Sequence, residues 1–274
     1  MKGIEPKLSV VMTAYNAEKY IREAIESILN QTFTDFEFII IDDCSTDATG
    51  MIIEEYSAKD PRIVCVHNPK NMYISAATNI AIEMARTDII AKMDADDIAM
   101  PLRLEKQYAF IKDHPEVGVV GAWIEIISEA GKPLRVREYQ TDDAGLRRKI
   151  FRYSPIAQPV CMYRKSVVNE FGGYLAVSAP AEDVNLWFKI GTRYKFANIP
   201  EVLLKYRFFE NSNSNRNLRA LEIKTLRLRW NAWRRQGYKP SASDFAYNIV
   251  QALTIFLMPR RLRIRLFDLV RSIF

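Results

Sequence analysis

Three aspartates fall within four positions at Asp94-Ala95-Asp96-Asp97, directly after the apolar run Ile89–Met93. Carboxylates this close repel one another and cost stability unless a cation or hydrogen-bond donors neutralise them. Their hard oxygens suit Mg²⁺ or Mn²⁺, which proteins hold through one or two carboxylates together with substrate phosphates. A second acidic pair, Asp42-Asp43, ends the run Phe36–Ile41, and the cluster Thr13-Ala14-Tyr15-Asn16 follows Leu8–Met12. The competing explanation is that these aspartates form turns and cap helices, which Asp does well. It serves Asp42-Asp43 as well as a binding role does, but fits three carboxylates at one strand end less well. The chain has neither GxxxxGK[ST] nor GxGxxG, so a phosphate cradle built on glycines is not expected. What remains is a nucleotide held through a metal and carboxylates.

The elements that must position these groups alternate regularly. Strands are predicted at Leu8–Met12, Phe36–Ile41, Arg62–Val66, Ile89–Met93 and Val117–Ala122. Helices are predicted at Glu18–Leu29, Asp47–Tyr56, Ser75–Ala85 and Pro101–Lys112, the last opened by a proline in its first turn. This alternation predicts an α/β fold, with a mostly parallel, Rossmann-like sheet flanked by helices. Ligands of such sheets bind beyond the carboxyl ends of the strands, where all three polar clusters fall. The second half is less regular: strands at Val160–Tyr163, Tyr194–Ile199 and Val202–Tyr206 surround a helix at Asp183–Ile190. The polar loop Asn211–Asn215 marks the best boundary. It separates a domain at 1–215 (halves 1–122 and 123–215) from a basic helical tail at 216–274, with helices at Arg216–Gln236, Ser243–Leu257 and Arg260–Ile273.

Of the chain's 274 residues, 49% are apolar, and its net charge is +6. That charge is confined to the tail: residues 216–274 hold 13 Lys/Arg against 3 Asp/Glu, and the first 215 hold 26 against 30. A mildly acidic body is a poor binder of phosphate backbones, so nucleic acid is not an expected partner. Three scattered cysteines, with no CxxC pair, argue against disulfides and zinc and fit a reducing compartment. Leu8–Met12 is too short for a signal sequence, and no apolar stretch reaches the ~20 residues that cross a bilayer. Phe245–Met258 is, however, 14 residues without a charge, and arginines at 260, 261, 263, 265 and 271 follow, interleaved with apolar residues. This pattern predicts a helix lying in an anionic membrane interface; the alternative is that the tail covers the core or pairs in a homodimer.

In combination, these residues resemble family 2 glycosyltransferases. Ser9–Asn16, Ser27–Phe33 and Ile41–Asp47 are similar to the opening of that family, and Asp94–Asp97 with Pro101 and Arg103-Leu104 to its DxD segment. Glu182-Asp183 with Leu186-Trp187 resembles the ED motif, and Leu204–Arg207 the trailing strand. The resemblance, which runs from about Leu8 to Ser214, implies a GT-A fold and an inverting transfer from a nucleoside-diphosphate sugar, most often a UDP-sugar. It further implies that Thr13, Ala14, Tyr15 and Asn16 line the base, with Asp43 accepting its imide hydrogen. Asp94 and Ala95 would lie by the ribose or metal, Asp96 would ligate Mn²⁺ or Mg²⁺, and Asp183 would be the general base. Asp97 is expected only to order the turn into the Pro101 helix.

The chain departs from the family at several places. Cys44 follows the aspartate pair where glycine is usual, and the segment Asn71–Asn79 lacks the usual glycine and arginine. Gln158 and Phe208-Phe209 stand where histidines are common. The QxxRW motif of processive synthases is absent, which implies one sugar added per encounter. The expected acceptor is a hydroxyl of a glycan or lipid-linked glycan in surface polysaccharide synthesis, with the enzyme cytoplasmic and peripheral on the inner membrane face. The alternatives are a polyprenyl-phosphate glycosyl synthase, whose acceptor needs no base, and a non-catalytic sugar-nucleotide-binding assembly subunit.

Overall fold

Short runs rich in Val and Ile pack well on a pleated surface, and here they become the strands of one sheet. The computed structural model describes residues 5–209, 218–259 and 262–263. The chain first lays down β1 (Leu8–Ala14), α1 (Ile21–Leu29), β2 (Phe36–Asp42), α2 (Thr49–Ser57), β3 (Ile63–His67), α3 (Tyr73–Met84) and β4 (Ile89–Asp94). The short β5 (Ile98–Ala99), α4 (Arg103–Asp113), β6 (Val117–Ile127), β7 (Pro133–Arg137) and α5 (Asp143–Lys149) come next. Then follow β8 (Met162–Arg164), α6 (Lys165–Glu170), α7 (Glu182–Ile190) and β9 (Lys195–Arg207), and finally α8 (Leu218–Arg235) and α9 (Ala242–Leu257).

The strand order is β3-β2-β1-β4-β8-β6-β9-β5, with β7 paired to the far end of β6. The first four strands are parallel, as the alternation predicts. β8 then runs antiparallel to both β4 and β6, so the sheet is mixed beyond β4. Alternate residues of each strand feed two cores. Val10, Met12, Phe38, Ile40 and Met93 pack with Ile21, Ile25 and Leu104 on one face. Val11, Ile39, Ile41 and Ile90 pack with Ala77, Ala81 and Trp187 on the other. Burial on both faces is why these strands read as continuous apolar runs.

Two strands expected at Tyr194–Ile199 and Val202–Tyr206 are one strand, β9. Between them Pro200 and Glu201 fall where the register against β6 jumps from Ala122–Ile199 to Trp123–Val202, so the proline is absorbed as a bulge. The sequence reading missed β5, β7, α5 and α6, which are short and carry little apolar periodicity. The loop Asn211–Asn215 lies outside the described residues, as does Arg260–Ile273 except at 262–263.

β6 and β9 approach closely at Gly121. A Cβ there would meet Asn198 Oδ1 at 2.2 Å and Ile156 Cγ2 at 2.8 Å. Asn198 cannot easily yield, because its amide donates to the carbonyls of Gln140 and Pro155 at 2.9 and 3.0 Å. Gly121→Ala should therefore lower stability by about 1–3 kcal/mol, seen as a lower denaturation midpoint. An unchanged midpoint would show that the two strands have room to separate.

Candidate active site

The strand order reverses between β1 and β4, the place where open α/β sheets bind ligands. Register brings the strand ends to one level there: Thr13 lies opposite Asp94, and Ala14 opposite Asp42. Beyond β1 the chain turns at Asn16, whose N–H donates to Ser45 Oγ (3.0 Å) and whose side-chain oxygen accepts from the Thr46 N–H (2.8 Å). The Ala17 N–H donates to Thr49 Oγ1 at 2.7 Å. The loops after β1 and β2 thus form one wall. Ala14 is buried, Thr13 partly so, and the Tyr15 ring is exposed at the rim.

Asp43 is buried in that wall, and its N–H donates to the Ala14 carbonyl at 2.8 Å. Its Oδ1 accepts from Asn68 Nδ2 (2.7 Å) and the Met72 N–H (2.8 Å). The carboxylate is therefore fixed from behind through one oxygen, leaving the other for a ligand. Asp42 is held differently, accepting from the Ser45 N–H at 3.1 Å and lying 2.9 Å from His67 Nδ1.

Carboxylate oxygens of Asp94, Asp96 and Asp97 lie within 4.8 Å of one another. Lys92, fully buried, places its ammonium 2.8 Å from Asp94 Oδ1. Burial and the Asp94 charge push the Asp96 carboxyl up to about 6. Asp97 is pushed well above the carboxylate range by burial and by both neighbouring aspartates. Its Oδ1 accepts the Arg207 N–H at 2.8 Å, while Oδ2 has no partner. Asp97 thus anchors the end of β9, not the turn toward Pro101, because the sheet brings Arg207 to it across 110 residues. The Arg207 guanidinium donates to the carbonyls of Asp96 (2.9 Å) and Glu129 (2.8 Å) and to Glu23 (2.5 Å). From beneath, buried Arg103 donates to the Lys92 carbonyl at 2.5 Å and to Gln107 Oε1 at 3.1 Å. A half-buried cluster in which the Asp94 charge raises both Asp96 and Asp97, and which keeps an unpartnered carboxylate oxygen, is chemically suited to a hard divalent cation.

The helix cap on α7 is Ala181, without a side-chain bond, so neither Glu182 nor Asp183 is the cap. Asp183 is pushed up to about 7, first by desolvation and then by the Glu182 charge, with Asp94 adding to both. The Asp94 charge adds to the rise of both Glu182 and Asp183, so the start of α7 lies within electrostatic reach of the cluster. Glu182 is raised by burial and steadied by the Lys92 charge, and its Oε2 lacks a partner.

Residues 9–172 match the profile described as Glycosyl transferase family 2. The chain belongs to that family. It is 33% identical over 232 residues to the O-antigen biosynthesis glycosyltransferase WbnJ of Escherichia coli, covering 81% of this chain and 87% of WbnJ. Among solved structures it resembles S. aureus TarS 1–349 in complex with UDP, with a TM-score of 0.67, 22% identity, and coverage of 93% of this chain and 73% of that one. It also resembles the mannosyltransferase PcManGT from Pyrobaculum calidifontis in complex with GDP-Man and Mn²⁺, with a TM-score of 0.62, 17% identity, and coverage of 91% and 70%. The fold is the GT-A fold.

Within this glycosyltransferase two departures from the family acquire a physical meaning. Cys44 (φ 64°) and Tyr73 (φ 62°) take the left-handed conformation that glycine adopts without strain. Both lie in the segments where glycine is usual, and here the wall pays that conformational cost with ordinary side chains. A further set of groups lies on the α3 and α7 side of the sheet, of which only Gln158 stood out in the sequence. Ser75 Oγ, Thr78 Oγ1, Gln158 Nε2 and Asn185 Nδ2 are buried without partners, the condition a ligand or water relieves.

A carboxyl raised to about 7 imposes a sign on any pH dependence that rests on it. Below that value Asp183 is protonated and cannot take a proton, so kcat/KM should fall as pH drops through about 7. A pH–rate profile flat from pH 5 to 9 (about two units on either side) would remove Asp183 from proton transfer.

Proposed function

We propose that this enzyme transfers a single sugar, with inversion, from a nucleoside-diphosphate sugar to a hydroxyl of a glycan or lipid-linked glycan in surface polysaccharide synthesis. The observation that carries the reading is Asp183: a carboxyl not used as a helix cap, raised to about 7, and electrostatically coupled to Asp94 of the acidic cluster. The acceptor oxygen attacks the anomeric carbon and gives its proton to Asp183, while the bond from that carbon to the diphosphate breaks. Asp183 therefore serves the acceptor face and the aspartate cluster the leaving-group face. WbnJ, named for O-antigen biosynthesis, supports a glycan acceptor.

In this reading residues 1–122 bind the nucleotide and 123–215 shape the acceptor side. Thr13, Ala14, Tyr15 and Asn16 line the base, and Asp43 offers its unused oxygen to the imide. We favour a UDP-sugar on that basis, and UDP in the TarS complex supports it. Asp96, with Asp94 and Ala95 beside the ribose and diphosphate, would hold Mn²⁺ or Mg²⁺, and PcManGT with Mn²⁺ supports a metal. The ion would neutralise charge on the departing diphosphate. We place the enzyme on the cytoplasmic face of the cell membrane, held peripherally by its basic tail.

A panel of nucleotide sugars with Mn²⁺, read by thermal shift and slow donor hydrolysis, should single out one donor. Binding without hydrolysis would leave the non-catalytic role, and silence toward every donor would count against the whole reading. Asp183→Asn should reduce transfer by about 10²–10⁴-fold and leave donor binding intact. Full transfer by this variant would point to a phosphate acceptor, as in polyprenyl-phosphate synthases. Asp96→Ala should abolish the Mn²⁺-dependent part of the thermal shift, and retention of that shift would place the ion elsewhere.

A further inference from the structure

Helix α9 is built inside out. Its inward positions hold Asp244, Gln251, Thr254 and Ile255, all buried, together with the half-buried Asn248 and Phe245. Ile249, Val250, Leu253, Phe256 and Leu257 face outward, each between 53% and 76% exposed. Their spacing is that of one helical stripe, and surface helices of globular proteins normally turn such a stripe to the core. Hydrogen bonds fix this orientation. Asp244 accepts from Arg152 at 2.8 Å, and Asn248 and Gln251 accept from Arg229 Nη1 at 2.9 and 2.8 Å. The Asn248 amide donates to the Phe151 carbonyl at 3.0 Å. Rotating α9 to bury its stripe would break every one of these bonds.

Cations border the stripe. The Arg219 guanidinium lies 5.1 Å from the centroid of the Phe256 ring. Along α8, Arg219, Arg227, Trp230 and Arg234 fall within roughly 80° of one another on a helix of 3.6 residues per turn, and all four are exposed. The exposed α8 face that Arg219 joins to the stripe thus carries arginine and tryptophan. An apolar stripe flanked by arginine and an interfacial tryptophan matches a surface that sinks shallowly into lipid headgroups. Among the described residues no helix is long and apolar enough to cross a membrane, so contact lies in the interface plane. Charge selects the occupant. The segment 216–274 carries 13 Lys/Arg against 3 Asp/Glu, which attracts anionic lipid, while a second copy of the chain would meet like charge with like.

We propose that the outward face of α9, with the Arg219–Arg234 face of α8, is the docking surface for an anionic membrane. The inference rests on the peripheral attachment proposed above and assigns it to a folded surface. Its test is independent of the transfer chemistry.

The full-length protein is floated with vesicles of phosphatidylglycerol and phosphatidylcholine, and with phosphatidylcholine alone. The wild type should float with the anionic vesicles only, and less as salt rises. Leu253→Glu combined with Phe256→Glu should cut the floated fraction about tenfold or more. Donor hydrolysis in solution and the denaturation midpoint should stay unchanged, because both side chains face solvent. Equal flotation of variant and wild type overturns the proposal, as does equal binding to neutral vesicles. Sedimentation as a dimer that the same variant dissociates, without vesicle binding, also overturns it by making the face a self-interface. Wild-type protein that floats with anionic vesicles but hydrolyses no donor would count against the catalytic reading alone.

Discussion

Carboxylates as close as those of Asp94, Asp96 and Asp97 repel one another, and a protein that keeps them together must answer that repulsion. This chain answers it from three directions. Lys92 places a buried charge on Asp94, the Arg207 N–H donates to Asp97, and Arg103 braces the strand end from below. The answer is incomplete: Asp96 and Asp97 still hold their protons more tightly than ordinary carboxylates. A divalent cation entering a site poised in this way would displace protons, which would couple its occupancy to pH.

Arg207 shows how far the rest of the architecture serves that cluster. It stands at the end of the longest strand and reaches the cluster turn, the Glu129 carbonyl beyond β6, and Glu23 on α1. Its guanidinium also lies over the Tyr20 ring at 4.7 Å. A single side chain thus ties the cluster turn and the region beyond β6 to the helix behind the nucleotide wall. Lys92 performs a related task on the other face of the sheet, where its charge acts on both Asp94 and Glu182. The acidic cluster and the start of α7 therefore share one electrostatic environment.

The C-terminal helices obey a different rule. Helix α8 joins the apolar core through Ala232, Leu221, Leu228 and Trp233, whereas α9 meets the body and α8 through buried polar contacts beside its Phe245 ring and Ile255. Polar contacts leave apolar side chains for the outside, an arrangement that water does not favour and that a lipid surface would.

The family, the strand–helix alternation and the polar clusters at the strand ends were legible in the sequence. Apolar runs bounded by acidic or polar clusters encode strand ends locally, and Asp43, Asp94, Asp96 and Asp183 occur within recognisable neighbours. Even the missing glycines were visible, although only the backbone showed that Cys44 and Tyr73 keep glycine's conformation. The antiparallel β8 and the fusion of two runs into β9 were not legible, because strand direction and bulges depend on pairing across the sheet. The role of Asp97 was hidden for the same reason, since its partner Arg207 is 110 residues away. The outward turn of α9's apolar stripe was equally hidden. Periodicity defines a stripe, but only the hydrogen bonds of Arg152 and Arg229 decide which way it faces.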